Sequence, residues 1–164
     1  FCPGAEFGPA KRWPHYHYAE LAKQLIDEGY QVVLFGSAKD HEAGNEILAA
    51  LNTEQQAWCR NLAGETQLDQ AVILIAACKA IVTNDSGLMH VAAALNRPLV
   101  ALYGPSSPDF TPPLSHKARV IRLITGYHKV RKGDAAEGYH QSLIDITPQR
   151  VLEELNALLL QEEA

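Results

Sequence analysis

The sequence predicts an α/β fold in which helices cover both faces of a doubly wound parallel sheet. Two observations support this prediction. Short apolar runs alternate along the chain with longer segments whose apolar residues recur at helical spacing. Most of the apolar runs end at a glycine or a polar turn, as strands in βαβ units do. The 164 residues suffice for one domain with a sizeable core, so we expect a single domain over residues 1–164.

The first half of the chain opens on a short strand-like fragment and then alternates between helix and strand. Residues 16–28 show helical spacing and stop at Gly29, a residue suited to a helix C-terminus. The apolar run 31–35 ends at Gly36 and predicts a buried strand. Residues 40–51 form an amphipathic pattern that predicts the second helix.

The middle of the chain repeats this pattern twice. A short strand is predicted at 58–62, before the break at Gly64. Residues 68–78 have an apolar face and predict a helix, and the apolar run 80–83 predicts a buried strand. An alanine-rich helix is then predicted at 87–95. Helices between neighbouring strands predict right-handed crossovers.

The last third is less regular. A strand is predicted at 98–103, where Gly104 ends it, and another at 119–124. Between them lies a loop with four prolines, and a flexible excursion is predicted at 126–139. A final helix begins after Thr147, a suitable cap, with proline at its first position, and reaches about Leu160.

Charge and composition exclude several classes of function. The net charge of −5 argues against general nucleic-acid binding. No apolar run approaches the ~20 residues of a membrane span, and the first residues do not resemble a signal peptide. The cysteines Cys2, Cys59 and Cys78 are odd in number and far apart, which fits neither a disulfide framework nor a zinc site. Cys59 and Cys78 lie in apolar patterns that favour core packing, and we expect a reducing, cytoplasmic compartment. Because the chain lacks an initiating Met, we expect a piece of a longer protein.

The most informative stretch is the junction between the strand 80–83 and the helix 87–95. The first amides of such a helix have no intrahelical partner and lie at the positive end of its dipole, so a phosphate or diphosphate suits them. Alternatively, Asp85 or Ser86 caps the helix, and Asp85 also suits hydrogen bonds from sugar hydroxyls or from loop amides. His90, one turn further, is either a phosphate donor or a core histidine.

Two other turns are candidates for the same crevice. In the opening loop, glycines allow close backbone approach and Lys11 suits a phosphate, although the spacing is not that of a Walker A loop. The alternative is a solvated Lys11 beside Trp13 packed on the sheet edge. The turn 63–68, with Thr66 as the expected helix cap, is a weaker candidate and suits a purely structural role as well.

Residues 110–133 form a basic window without any carboxylate. An anionic substrate or an anionic membrane surface is one interpretation, and a solvated charged face is the other. The window contains Lys117, Arg119, Arg122, Lys129, Arg131 and Lys132.

Four stretches in this order resemble one family, the ADP-heptose:lipopolysaccharide heptosyltransferases of glycosyltransferase family 9. These are residues 11–14, 62–66, 84–90 and 100–105. The resemblance implies a GT-B fold, in which two Rossmann-like domains flank the active site. This chain is similar to the C-terminal domain, which binds most of the donor. The N-terminal domain, absent here, would then supply the catalytic base.

The resemblance also implies roles for individual residues. Lys11 and His90 would stabilise the leaving diphosphate, and Thr66 would lie beside the nucleoside. The whole expected donor-binding set is Gly8, Lys11, Thr66, Asp85, Ser86, Gly87 and His90. Glu6 and Phe7 stand where some relatives carry hydroxyl residues that bind phosphate, and residues 37–38 where some carry an acidic residue for the ribose.

The expected partners follow from the same resemblance. They are the substrate ADP-heptose, the lipopolysaccharide inner-core acceptor, the protein's own N-terminal domain and an anionic membrane surface, with no metal, cofactor or nucleic acid. The expected location is cytoplasmic, peripheral at the inner membrane. Two rival hypotheses are a GT-B-like sugar-nucleotide epimerase, which would favour a uridine nucleotide, and a non-enzymatic nucleotide-binding module.

Overall fold

A computed structural model of the chain describes residues 1–6, 8–126, 128, 133 and 137–163. In this part of the chain parallel strands alternate with helices, which confirms the predicted α/β fold. The strands are β1 Val32–Leu34, β2 Cys59–Asn61, β3 Ile81–Asn84, β4 Leu99–Tyr103 and β5 Ala118–Arg122. The helices are α1 His15–Asp27, α2 His41–Ala49, α3 Thr53–Gln56, α4 Leu68–Ala76, α5 Gly87–Ala94, α6 Gln141–Ile144 and α7 Pro148–Glu163.

Every predicted helix and strand is present with boundaries shifted by a few residues. The sequence-based prediction missed α3 and α6, and two single turns of 3-10 helix at Pro9–Lys11 and Ala38–Asp40. Each of these elements is about one turn long, which is too short to show a hydrophobic period. The predicted excursion at 126–139 lies for the most part outside the described residues.

The first two residues join two parallel sheets, β1-β2 and β3-β4-β5, into one. The backbone nitrogen of Phe1 donates to the Val33 carbonyl (2.7 Å), and the Phe35 nitrogen donates to the Phe1 carbonyl (2.9 Å). On the other side the Cys2 nitrogen donates to the Val82 carbonyl (2.9 Å). The combined order is β2, β1, residues 1–2, β3, β4, β5, which is that of doubly wound dinucleotide-binding folds.

The core lies on both faces of this sheet. Alternate residues of β4, all of them buried, point to opposite faces. Val100 and Leu102 join the cluster that contains α1 and α7, whereas Leu99, Ala101 and Tyr103 join the cluster that contains α4 and α5. The sheet is therefore covered on both sides, as a parallel sheet requires.

Asn84, the last residue of β3, is fully buried and holds the opening loop against the sheet. Its Oδ1 accepts hydrogen bonds from the Trp13 backbone nitrogen (3.0 Å) and the Tyr18 hydroxyl (2.8 Å). Its Nδ2 donates to the carbonyls of Pro3 (2.8 Å) and Gly4 (3.2 Å). The amide thus uses both donors and both acceptor positions that it has.

Replacing Asn84 with alanine should destabilise the chain by at least about 3 kcal/mol, because several buried polar groups lose their partner and each costs roughly 1–3 kcal/mol. Tyr18→Phe removes one of the four hydrogen bonds and should cost only about 1 kcal/mol. Urea unfolding of both variants beside the wild type measures the two values. A loss below about 1 kcal/mol for Asn84→Ala would show that this network does not hold the loop.

Candidate functional site

The described residues form a cavity of about 410 Å³ beside the carboxyl ends of the central strands. The chain order of the strands reverses between residues 1–2 and β3, and open α/β sheets bind ligands at such a switch point. The cavity volume falls within the range of small-molecule sites. Its lining consists of Lys11, Asp85, Ser106, Ser107, Phe110 and Thr111. Two residues predicted from the sequence, Lys11 and Asp85, therefore meet at one cavity.

The opening loop places Lys11 at the cavity through a single 3-10 turn. Gly8 precedes this turn with a φ of 100°, a backbone conformation that favours glycine. The Lys11 nitrogen donates to the Gly8 carbonyl (3.2 Å), which closes the turn. Trp13 then lies in the core with 1% of its surface exposed, and its indole nitrogen donates to the Ile146 carbonyl (2.9 Å). The alternative that Trp13 packs on the sheet edge is therefore wrong.

The β3–α5 turn presents the beginning of α5 beside the same cavity. Ser86 occupies the N-cap position with an extended backbone, yet among the described residues no side chain caps this helix. Its hydroxyl lies 3.3 Å from the Thr83 hydroxyl instead. A Cβ on Gly87 would meet no described protein atom within 4 Å, so a ligand has room to approach this backbone. Ser86 is thus the N-cap residue by position, as one alternative predicted, but no capping hydrogen bond comes from its side chain.

His90 and Thr66 lie outside the cavity lining. His90 is exposed on α5, one turn beyond Ser86, so the interpretation as a core histidine is wrong. Thr66 is half-buried in the β2–α4 turn, but it is not the cap of α4. Gln67 occupies that position, because the helix begins at Leu68, and its backbone nitrogen donates to the Gln70 side chain (2.8 Å).

The loop between β4 and β5 forms one wall of the cavity, and none of its residues was predicted from the sequence to belong to the site. The Thr111 hydroxyl donates to Asp85 Oδ2 (3.1 Å), and the Tyr103 hydroxyl donates to the Thr111 carbonyl. Burial raises the pKa of Tyr103 and the Asp85 carboxylate raises it further, so the phenol remains a hydrogen-bond donor at neutral pH. The position of this loop directly after β4, beside the end of β3, is the signal that could have identified it.

A second loop, between β1 and α2, is tied to the opening loop through Asp40. An oxygen of its carboxylate lies 3.6 Å from Arg12 Nη2. The other oxygen accepts hydrogen bonds from the backbone nitrogen (2.8 Å) and hydroxyl (3.1 Å) of Ser37. The opening loop and the β1–α2 loop, which follow neighbouring strands, are therefore connected by side chains at one edge of the sheet.

The described part of the basic window is engaged in contacts within the chain. Lys117 pairs with Glu162 (3.1 Å) and Arg119 with Glu154 (3.2 Å). Arg122 Nε donates to the Gly104 carbonyl (3.0 Å) at the start of the cavity wall. These three cations therefore bind groups of the chain itself and do not form a purely solvated charged face. The other predicted residues Phe7, Lys129, Arg131 and Lys132 lie outside the described residues.

The remaining structural expectations concern membranes, metals and cysteines. Across the described ranges, no helix combines the length and apolarity of a membrane span. In the same ranges no three His, Cys, Asp or Glu side chains cluster as a metal would need. Cys2 and Cys59 are buried and Cys78 is half-buried, and burial raises the pKa of Cys59 to about 11, which fits core packing.

Comparison with known proteins identifies relatives of this chain. It is 94% identical to lipopolysaccharide heptosyltransferase 2 of Salmonella typhimurium, over 99% of this chain and 47% of the relative. The solved structure of E. coli ADP-heptose LPS heptosyltransferase II is also 94% identical, with a TM-score of 0.93 over 100% of this chain and 46% of that one. The chain thus spans about half the length of these relatives.

A more distant solved structure is also similar to this chain. It is the E. coli heptosyltransferase WaaC with ADP-2-deoxy-2-fluoro heptose, at 25% identity and a TM-score of 0.70, covering 100% of this chain and 42% of that one. The family model for glycosyltransferase family 9 (heptosyltransferase) matches residues 1–140. This match covers the sheet and every residue of the cavity, and the chain therefore belongs to glycosyltransferase family 9.

Proposed function

We propose that this chain is the donor-binding, C-terminal half of an inverting heptosyltransferase. The reaction transfers L-glycero-D-manno-heptose from ADP-heptose to the lipopolysaccharide inner core. The observation that supports this proposal is the meeting of Lys11 and Asp85 at one cavity at the switch point of the sheet. The 94% identity to a heptosyltransferase 2 supports the choice of donor and acceptor.

The cationic side of the cavity binds the donor diphosphate. Lys11 supplies a mobile positive charge, and the first amides of α5, at Ser86 and Gly87, point their N–H groups at the phosphates. His90 donates to the same phosphates from one turn along the helix. Together these groups stabilise the charge that develops on ADP as it leaves. Gly8 allows the opening loop to approach the donor closely.

The acidic side binds the sugar, and the neighbouring strand end binds the nucleoside. Asp85 lines the cavity and its carboxylate accepts hydrogen bonds from sugar hydroxyls, whereas it would repel a phosphate. Thr66 lies after β2, at the same edge of the sheet, and contacts the nucleoside. The donor therefore lies with its nucleoside at Thr66, its diphosphate at Lys11 and its sugar at Asp85.

The chemical step needs a second half of the protein. An acceptor hydroxyl attacks the anomeric carbon while the bond from that carbon to the diphosphate oxygen breaks, which inverts the centre in one displacement. ADP leaves with the bonding electrons, and a carboxylate of the N-terminal half takes the hydroxyl proton. That half also holds the acceptor in line with the donor. The acceptor is membrane-embedded, so the enzyme works in the cytoplasm at the periphery of the inner membrane.

Calorimetric titration should show that the chain binds ADP and that Lys11→Ala weakens this binding about tenfold or more, as expected for a lost charge-assisted hydrogen bond. Lys79→Ala is the matched control, because Lys79 is exposed and precedes β3 at the opposite end of the sheet. UDP is the contrasting ligand. A preference for UDP would favour the epimerase hypothesis, and an unchanged affinity in Lys11→Ala would contradict the role of Lys11.

Donor binding should not require a divalent cation, because Lys11 and the amides of α5 supply the positive charge. The ADP dissociation constant should therefore change by less than about twofold when EDTA replaces MgCl2 in the titration. A loss of binding in EDTA that Mg²⁺ restores would contradict this account.

The chain alone should bind ADP but transfer no heptose, because the expected general base belongs to the other half. The measurement is heptose transfer from ADP-heptose to an acceptor lipopolysaccharide, followed by mass spectrometry. The matched sample is the same chain joined to the N-terminal half of the Salmonella relative. Transfer by the joined protein only is the expected result, and transfer by the chain alone would refute it.

A further inference from the structure

We propose that Ser106, on the loop between β4 and β5, binds a hydroxyl group of the sugar that is transferred. This residue lines the cavity together with Asp85 and Lys11. The inference rests on the proposed function and extends it. It adds a sugar contact from the β4–β5 loop, for which the sequence indicated only a proline-rich connection.

The hydroxyl of Ser106 is the main observation. The residue is buried, with 5% of its surface exposed, and yet its hydroxyl has no hydrogen-bond partner among the described residues. Ser106 lines the cavity, and its hydroxyl oxygen is accessible to solvent. A serine hydroxyl offers one donor and two acceptor positions, and at the cavity these are open to water or to a ligand. A polar ligand in the cavity would satisfy them.

The neighbouring hydroxyls on the same wall already have partners. Ser107 Oγ accepts a hydrogen bond from the Asp109 nitrogen (3.2 Å), and Thr111 Oγ1 donates to Asp85 Oδ2 (3.1 Å). These two hydroxyls therefore serve the conformation of the loop and of the Asp85 carboxylate. Ser106 is the serine or threonine of the lining whose hydroxyl is available to a ligand.

The loop holds Ser106 in a defined place. Arg122 donates to the carbonyls of Gly104 (3.0 Å) and Pro105 (3.4 Å), the two residues immediately before Ser106. At the other end of the wall, the Tyr103 hydroxyl donates to the Thr111 carbonyl. Anchoring on both sides lowers the entropy cost of ligand binding at Ser106.

The chemistry of the cavity favours a sugar hydroxyl over a phosphate as the partner of Ser106. The β4–β5 wall contributes neutral hydroxyls, and Asp85 contributes a carboxylate that repels phosphate and accepts hydrogen bonds from alcohols. The lysine among the lining residues, Lys11, comes from the opening loop. Diphosphate therefore belongs with Lys11, and the polyol part of the donor with Ser106 and Asp85.

The test compares ADP with ADP-heptose as ligands of Ser106→Ala in the full-length protein, in which the chain is joined to its other half. ADP-heptose affinity should fall about threefold to tenfold, the effect of one lost neutral hydrogen bond, while ADP affinity stays unchanged. Ser115→Ala is the matched control. Ser115 lies on the same loop outside the cavity lining, and its hydroxyl contacts Asn96 Oδ1 (3.3 Å). Its substitution should change neither affinity.

The possible outcomes separate this inference from the proposed function. An equal loss for ADP and ADP-heptose would place Ser106 on the diphosphate and overturn the inference, as would unchanged affinity for both ligands. Failure of the wild-type protein to bind ADP would instead refute the proposed function.

Thermal unfolding gives an independent readout. Because the hydroxyl has no partner within the described residues, Ser106→Ala should leave the unfolding midpoint unchanged or raise it. Ser142→Ala removes a buried hydroxyl that contacts His140 Nδ1 (2.6 Å) and should lower the midpoint. A lower midpoint for Ser106→Ala would show that its hydroxyl serves the fold and would overturn the inference.

Discussion

The side-chain amide of Asn84 fixes the two halves of the candidate site relative to each other. It is the residue directly before Asp85, and its Nδ2 binds the carbonyls of Pro3 and Gly4 at the start of the loop that leads to Lys11. Its Oδ1 binds the other end of that loop at the Trp13 nitrogen. The distance between the Lys11 ammonium and the Asp85 carboxylate therefore depends on this one buried amide. Its four hydrogen bonds are costly to break in a low-dielectric interior.

The β4–β5 loop completes the site and is also held by hydrogen bonds within the chain. Thr111 orients the Asp85 carboxylate, and the buried phenol of Tyr103 holds the Thr111 backbone. Arg122, which composition alone assigned to a basic surface, binds loop carbonyls instead. Side chains at the strand ends therefore hold the binding groups of these loops in place, and the proposed stabilisation of a leaving diphosphate depends on such preorganisation.

Periodicity and strand-end position explain what the sequence could predict. The parallel α/β fold, the β3–α5 junction and the meeting of Lys11 and Asp85 at one cavity follow from local patterns and from the rule that strand ends share one edge. The role of Asn84 did not follow, because its partners at Pro3 and Tyr18 are far away in sequence. Ser106 was not predicted because a proline-rich loop has no hydrophobic period. The cap of α4 was predicted at Thr66 but lies at Gln67, because both residues suit a turn.

A crystal structure of the chain with ADP tests the central claim most directly. The account predicts the diphosphate within hydrogen-bond distance, about 3 Å, of both the Lys11 ammonium and the first backbone nitrogens of α5. It also predicts that the Asn84 hydrogen bonds persist unchanged, because the loop is already in place. A diphosphate bound away from Lys11, or a loop that leaves Asn84 to bind it, would contradict the claim that this amide builds the site in advance.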